Sequence, residues 1–163
     1  MSAAWTPLSG QWRVADGTYQ QLDNSGYDYI SQFAVPVPAK FEVSAKFKAP
    51  TGDLSAGFLL FQPKKGTRSG AELVDLTDKG RYVRWGHYDQ GGVYIFDGGN
   101  RLAVPVDPVV GMVFKVTYAN GTARVYINDK QVGEFAPSVA SGSVGIVSSV
   151  STISVDDFLV AAP

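Results

Sequence analysis

The chain has 163 residues, 45% of them hydrophobic, with 14 basic and 15 acidic side chains giving a formal net charge of -1, and it has no cysteine. That length suits one domain able to bury a core of its own. Near-neutral, dispersed charge argues against a nucleic-acid partner, the missing cysteines rule out disulfides and thiolate metal sites, and no apolar run is long enough to cross a bilayer.

The start, Met1-Ser2-Ala3-Ala4-Trp5, has neither a charged nor an apolar leader pattern, so an exported protein would carry its signal outside this segment, as a module of something longer. The 18 Gly and 9 Pro, with many Val, Tyr, Phe and Thr and no helical-length window of 3.6-residue period, predict an all-β chain of short strands and tight turns. Strands are expected near 11–14, 18–22, 27–35, 40–47, 56–61, 71–76, 81–87, 93–96 and 101–104. Turn signals separate them at Asp16-Gly17, 24–26, 36–38, 50–53, 63–70, 78–80, 90–92 and 97–100. Phe41, Val43, Ala45 and Phe47 point to one side of their strand, and Lys40, Glu42, Ser44, Lys46 and Lys48 to the other. Gly57 to Phe61 is apolar on both faces, which suits burial on both sides or an outer face that lines a groove.

The last fifty residues carry the clearest pattern. Phe114 to Phe135 alternates on both sides of Asn120-Gly121, a dipeptide suited to a two-residue hairpin turn, and a second polar turn follows at Asn128-Asp129-Lys130. Asn120-Gly121-Thr122 is also a formal glycosylation sequon, which its turn role explains. Then come a Gly-punctuated strand and a strand carrying Asp156-Asp157-Phe158. This order resembles the C-terminal half of the concanavalin A-like lectin and glucanase jelly rolls, including laminin-G-like modules and the 3-keto-disaccharide hydrolase domain. The resemblance implies one domain over residues 1–163, an all-β, two-sheet antiparallel jelly-roll sandwich, with a carbohydrate partner and an extracellular or cell-surface setting. It further implies one structural calcium ion, held by Asp157, or else Asp156, with the carbonyls of the Asp16-Gly17 turn. Calcium wants six to eight such oxygens.

Some relatives cleave glucans with acidic residues at alternate positions of one strand, and the nearest match here is Glu72-Leu73-Val74-Asp75-Leu76-Thr77-Asp78. In a strand, Glu72 and Asp75 face opposite sides, while Glu72 and Asp78 lie about 20 Å apart at about 3.3 Å per residue. A retaining pair needs about 5 Å and an inverting pair about 6.5–9.5 Å. The only histidine, His87, excludes a multi-histidine zinc site and reads as a rim residue. No phosphate-binding loop or nucleophile elbow occurs.

The aromatic segment from Arg81 to Phe96 is more telling. Parity puts Val83 and Trp85 on one face and Tyr82, Arg84 and Tyr88 on the other, and in the next strand Val93 and Ile95 alternate with Tyr94 and Phe96. With Val93 and Ile95 in the core, Tyr82, Arg84, Tyr88, Tyr94 and Phe96 form an outward aromatic surface. Sugar C–H faces stack on such rings, and Arg84, with Asp75 or Gln90 nearby, supplies hydroxyl partners. Three readings stay open: a non-catalytic carbohydrate-binding module, a glycoside or keto-disaccharide hydrolase, and a structural, adhesive or self-associating module. On the first, Tyr94→Ala or Arg84→Ala is expected to weaken glycan binding with little change in melting temperature.

Overall fold

In the computed structural model, which describes residues 4–52 and 55–163, fourteen strands are numbered in chain order. The first sheet runs, side by side, β1 (Trp5–Pro7), β4 (Tyr29–Pro36), β13 (Ser143–Ser148), β6 (Ala56–Gln62), β7 (Glu72–Thr77), β8 (Tyr82–Tyr88) and β9 (Tyr94–Arg101). The second runs β12 (Lys130–Phe135), β11 (Thr122–Ile127), β10 (Met112–Ala119), β5 (Phe41–Gly52), β14 (Ser151–Ala161), β3 (Thr18–Gln21) and β2 (Trp12–Ala15). Every pairing is antiparallel, and the chain crosses repeatedly between sheets, so that β14 lies between β5 and β3 and β13 between β4 and β6. Among the described residues no helix is long and apolar enough to cross a membrane.

The alternation read in Phe41 to Phe47 becomes the inner face of β5, buried against β6 of the facing sheet. Phe58 stands at the centre, its ring 5.6 Å from Phe114 and 5.5 Å from Phe47. Two bulges adjust this packing. Phe61 takes φ 57° where β6 shifts register, turning both Leu60 and Phe61 toward the core, where Phe61 meets Tyr118 at 4.9 Å. Asp157 takes φ 50° in the register shift of β14, and Phe158 beside it packs against Trp5 and Phe33. Asn120-Gly121 and Asn128-Asp129 both adopt positive φ and close two-residue hairpins, as their sequence demands.

Two expectations are corrected here. Residues 97–100 form no turn: β9 continues through them to Arg101, and of the strand expected at 101–104 residues 102–104 are loop. The glycines serve ring packing instead, since a Cβ at Gly98 would stand 2.8 Å from Trp85 Nε1 and one at Gly99 would strike the Tyr82 ring. Likewise β5 extends through Pro50 to Gly52, and Asp53 of the expected turn lies outside the described residues, as do Met1 to Ala3.

Candidate functional site

The first sheet buries apolar side chains on both faces. Phe58, Val74, Val83 and Ile146 face the second sheet, while Ile30, Leu59, Leu73, Tyr88 and Val147 form a separate cluster on the outer face. The double burial of Gly57 to Phe61 follows from this arrangement. Leu8 and Tyr94 pack against the outer cluster, and the loop 63–70 is held beside it by two buried amides of the sheet. Gly66 N donates to Gln32 Oε1 at 2.9 Å, and Gln62 Nε2 donates to Thr67 O at 3.2 Å. The loop thereby sets the Arg68 guanidinium 4.8 Å above the Tyr88 ring, with Arg68 Nε donating to Gly92 O and Nη1 to Asp28 Oδ2 at 3.1 Å.

Beside this loop the strands line up a second charged pair. Register places Asp75 opposite Arg84 and, on its other side, Gly57, whose missing Cβ leaves room for the aspartate. Arg84 donates from Nε to Asp75 Oδ1 at 2.8 Å and from Nη2 to Oδ2 at 3.2 Å, a bidentate fork. The other three N–H groups of its guanidinium have no acceptor among the described residues. The same guanidinium sits 4.9 Å from the Tyr94 ring, which meets Tyr88 edge-on at 5.8 Å. Gly86 makes this possible, because a Cβ there would lie 2.7 Å from Tyr94 Cε2 and Oη. Among the described residues neither the Tyr88 nor the Tyr94 hydroxyl completes a hydrogen bond, although the Asp28 carboxylate lies beside Tyr88.

Electrostatics follow from burial. Desolvation raises the Asp75 carboxyl above its ordinary range, with Arg84 pulling against it. Burial works to lower the Arg84 pKa, but its hydrogen bonds and attraction to Asp75 outweigh that and raise it further. Desolvation pushes the Tyr94 phenol up to about 12, Arg84 opposing.

Tyr82, Arg84, Tyr88, Tyr94, Phe96 and Asp75 therefore share one face, at unequal depths. Phe96 is 56% exposed and Tyr82 and Tyr94 are half-buried, whereas Tyr88 is 1% and Asp75 2% exposed and support the surface from below. The premise about β9 is corrected: Val93 and Ile95 are exposed at the sheet edge and do not enter the core. Tyr94 turns to the outer face because of what lies under its ring. Arg84, as the clamp on a buried carboxylate, also cannot be removed at little cost to the melting temperature. Sequence reasoning missed Asp28, whose φ is 55°, and Arg68, because both lie in loops that meet only in the fold; exposed Tyr27 adjoins Asp28.

The other sequence candidates lie elsewhere in the sandwich. Glu72 points to the core side of β7, where its Oε1 accepts from Ser138 N at 2.7 Å and Oγ at 2.6 Å, while Asp78 sits beyond the strand end in the Asp78-Lys79-Gly80 turn. His87 Nδ1 pairs with Asp97 Oδ2 at 2.6 Å across the β9 bulge. Asp157 pairs with the Lys46 ammonium, Asp156 Oδ1 accepts from Asp157 N, and Asp16-Gly17 is the hairpin turn between β2 and β3. Among the described residues no three His, Cys, Asp or Glu side chains gather as a metal cage. A calcium ion there would have to take the Asp157 carboxylate from Lys46 and draw its remaining oxygens largely from backbone carbonyls such as those of the Asp16-Gly17 turn.

No family model and no curated protein matches this sequence. Solved structures do resemble it. The carbohydrate-binding module CBM66 from Bacillus subtilis is 17% identical, with a TM-score of 0.83 over 98% of this chain and 96% of that one. A legume lectin-like domain from Entamoeba histolytica is 15% identical, with a TM-score of 0.65 over 98% and 90%. A candidate glycosyl hydrolase from Parabacteroides distasonis is 14% identical, with a TM-score of 0.67 over 98% and 88%. At these identities the likeness is one of fold: the chain is a two-sheet antiparallel jelly-roll sandwich, the architecture that the order of its C-terminal strands implied.

Proposed function

We propose that this domain is a non-catalytic carbohydrate-binding module whose site is the outer face of β8 and β9. The observation that carries the reading is the array Asp75–Arg84–Tyr94: a guanidinium fixed by a buried carboxylate, with three N–H groups to spare, set against the Tyr94 ring on a face that Tyr82 and Phe96 share. A pre-oriented fork loses little rotamer freedom when it bonds sugar hydroxyls, and the rings offer faces for pyranose or furanose C–H groups. Arg68, over the Tyr88 ring, bounds the same surface on the loop side.

Both Asp75 oxygens are taken by Arg84, and Glu72 is engaged by Ser138, which favours binding over hydrolysis. Calcium enters only through Asp157, and with Lys46 on that carboxylate the reading expects recognition to need no ion. An extracellular or surface setting, where polymeric glycans are within reach, completes the proposal.

A glycan array run in calcium and again in chelator tests it, with released-sugar analysis of the incubated glycans. Specific binding, equal in both conditions and without cleavage, is the expected result. Cleavage would instead establish a hydrolase, and no binding on the array would sink the module reading.

A further inference from the structure

The connection from β9 to β10, residues 102–111, carries the sequence Leu-Ala-Val-Pro-Val-Asp-Pro-Val-Val-Gly, and it leaves three of its valines in water. Val104 is 78% and Val110 73% exposed, and Val109 is as open. The loop is nonetheless tied at both ends. Leu102 N donates to Arg81 O and Val106 N to Gly80 O in the turn between β7 and β8, and Ala49 N of the second sheet donates to Pro108 O at 3.0 Å. Asp107 closes the turn, its carbonyl accepting from Gly111 N and its Oδ1 from Val109 N. A cavity of about 600 Å³ results, lined by Leu102, Val104, Val106, Val110, Ile127 and Val132. Leu102, Val106 and Val132 also pack on the core and form its floor.

The rim is cationic. Lys130 and Arg101 both line the cavity, Lys130 has no acidic partner among the described residues, and Arg101 reaches Asp78 only at 3.7 Å. The one carboxylate of the lining, Asp107, accepts backbone N–H bonds of its own loop. Apolar walls on a braced loop, with unspent positive charge at the mouth, fit one ligand class: a small organic anion with an apolar body and one acidic end. The volume lies within the range of small-molecule sites. This cavity is distinct from the outer face of β8 and β9, formed as it is by the 102–111 loop and the β11–β12 end.

We infer that the cavity between the 102–111 loop and the β11–β12 turn is a binding site for a small amphipathic organic anion. The probe pair is 8-anilinonaphthalene-1-sulfonate, an apolar anion, and the uncharged N-phenyl-1-naphthylamine, each titrated by fluorescence into the folded domain. The sulfonate is expected to bind one site and to bind it about tenfold more tightly than the neutral probe. Lys130→Glu with Arg101→Glu should abolish that preference, and Val104→Ser with Val110→Ser should weaken both probes, while the circular dichroism spectrum stays native. Equal affinity for the two probes, an unchanged preference in the charge-reversed variant, or sedimentation showing that these valines are covered by a second copy would overturn the inference.

Discussion

Arg84→Ala is the perturbation that the geometry defines most sharply. Asp75 is 2% exposed and takes both its hydrogen bonds from Arg84, so the variant leaves a carboxylate without a counterion inside the sheet. Removing one partner of a buried pair costs about 3–5 kcal/mol, and the one-quarter exposure of the Arg84 side chain favours the lower end, about 3 kcal/mol. For a chain of this size that corresponds to a fall in melting temperature of about 6–12 °C. The pH dependence has a fixed sign. With its folded pKa raised, Asp75 binds a proton more tightly folded than unfolded, so the loss is greatest above the folded value and recovers as pH falls toward the ordinary value of about 3.9. Thermal melts at neutral and mildly acidic pH should show the Arg84→Ala deficit shrinking on acidification, and Asp75→Asn added to Arg84→Ala should restore part of it at neutral pH. A deficit below about 2 °C at neutral pH, or one independent of pH, would refute the reasoning, since it would mean that water reaches Asp75 freely.

Other consequences are equally direct. Phe96→Ala, at an exposed position of an edge strand, should leave stability within about 0.5 kcal/mol while lowering glycan affinity about five- to tenfold, as calorimetry of both quantities would measure. Gly86→Ala should cost about 1–3 kcal/mol in denaturant unfolding and also weaken glycan binding, because its Cβ meets the Tyr94 ring and the Ile95 carbonyl. The His87 pKa is raised by its hydrogen bond to Asp97, with burial opposing and the charges of Asp97, Glu72 and Asp89 assisting. Its stabilising contribution is thus full below about 6.5 and lost as pH rises through the raised folded value. Asp97→Asn should flatten that part of the stability profile; profiles that stay parallel would refute the pairing.

The alternation of Phe41 to Phe47 and the Asn120-Gly121 turn made the sandwich legible, because both rest on local rules: the two-residue period of a strand and the φ > 0 tolerance of a turn. Parity along β8 was legible for the same reason, and it put Tyr82 and Arg84 on their common face with Tyr88. At β9 parity again put Tyr94 and Phe96 on that face, but burial did not follow, because Ile95, and Val93 just before the strand, look like core residues and lie exposed at the edge of the sheet. Gly98 and Gly99 read as a turn because local propensity cannot see the Trp85 and Tyr82 rings that lie across them. Depth was also hidden: Tyr88 and Asp75 sit beneath Arg68 and Arg84, and the Asp28–Arg68 pair joins loops forty positions apart. The valine-lined cavity had no signature at all, since valines spaced along a loop look like a strand edge until the backbone ties to Gly80 and Ala49 are known.

The central claim is the location and kind of the site, and a heteronuclear NMR titration of the domain with a glycan selected on the array tests it most directly. The account predicts saturable shifts centred on the Arg84 side chain and on Tyr82, Tyr94 and Phe96, extending to Arg68 across the face. Shifts centred instead on the 102–111 loop, or on the far sheet, would contradict it.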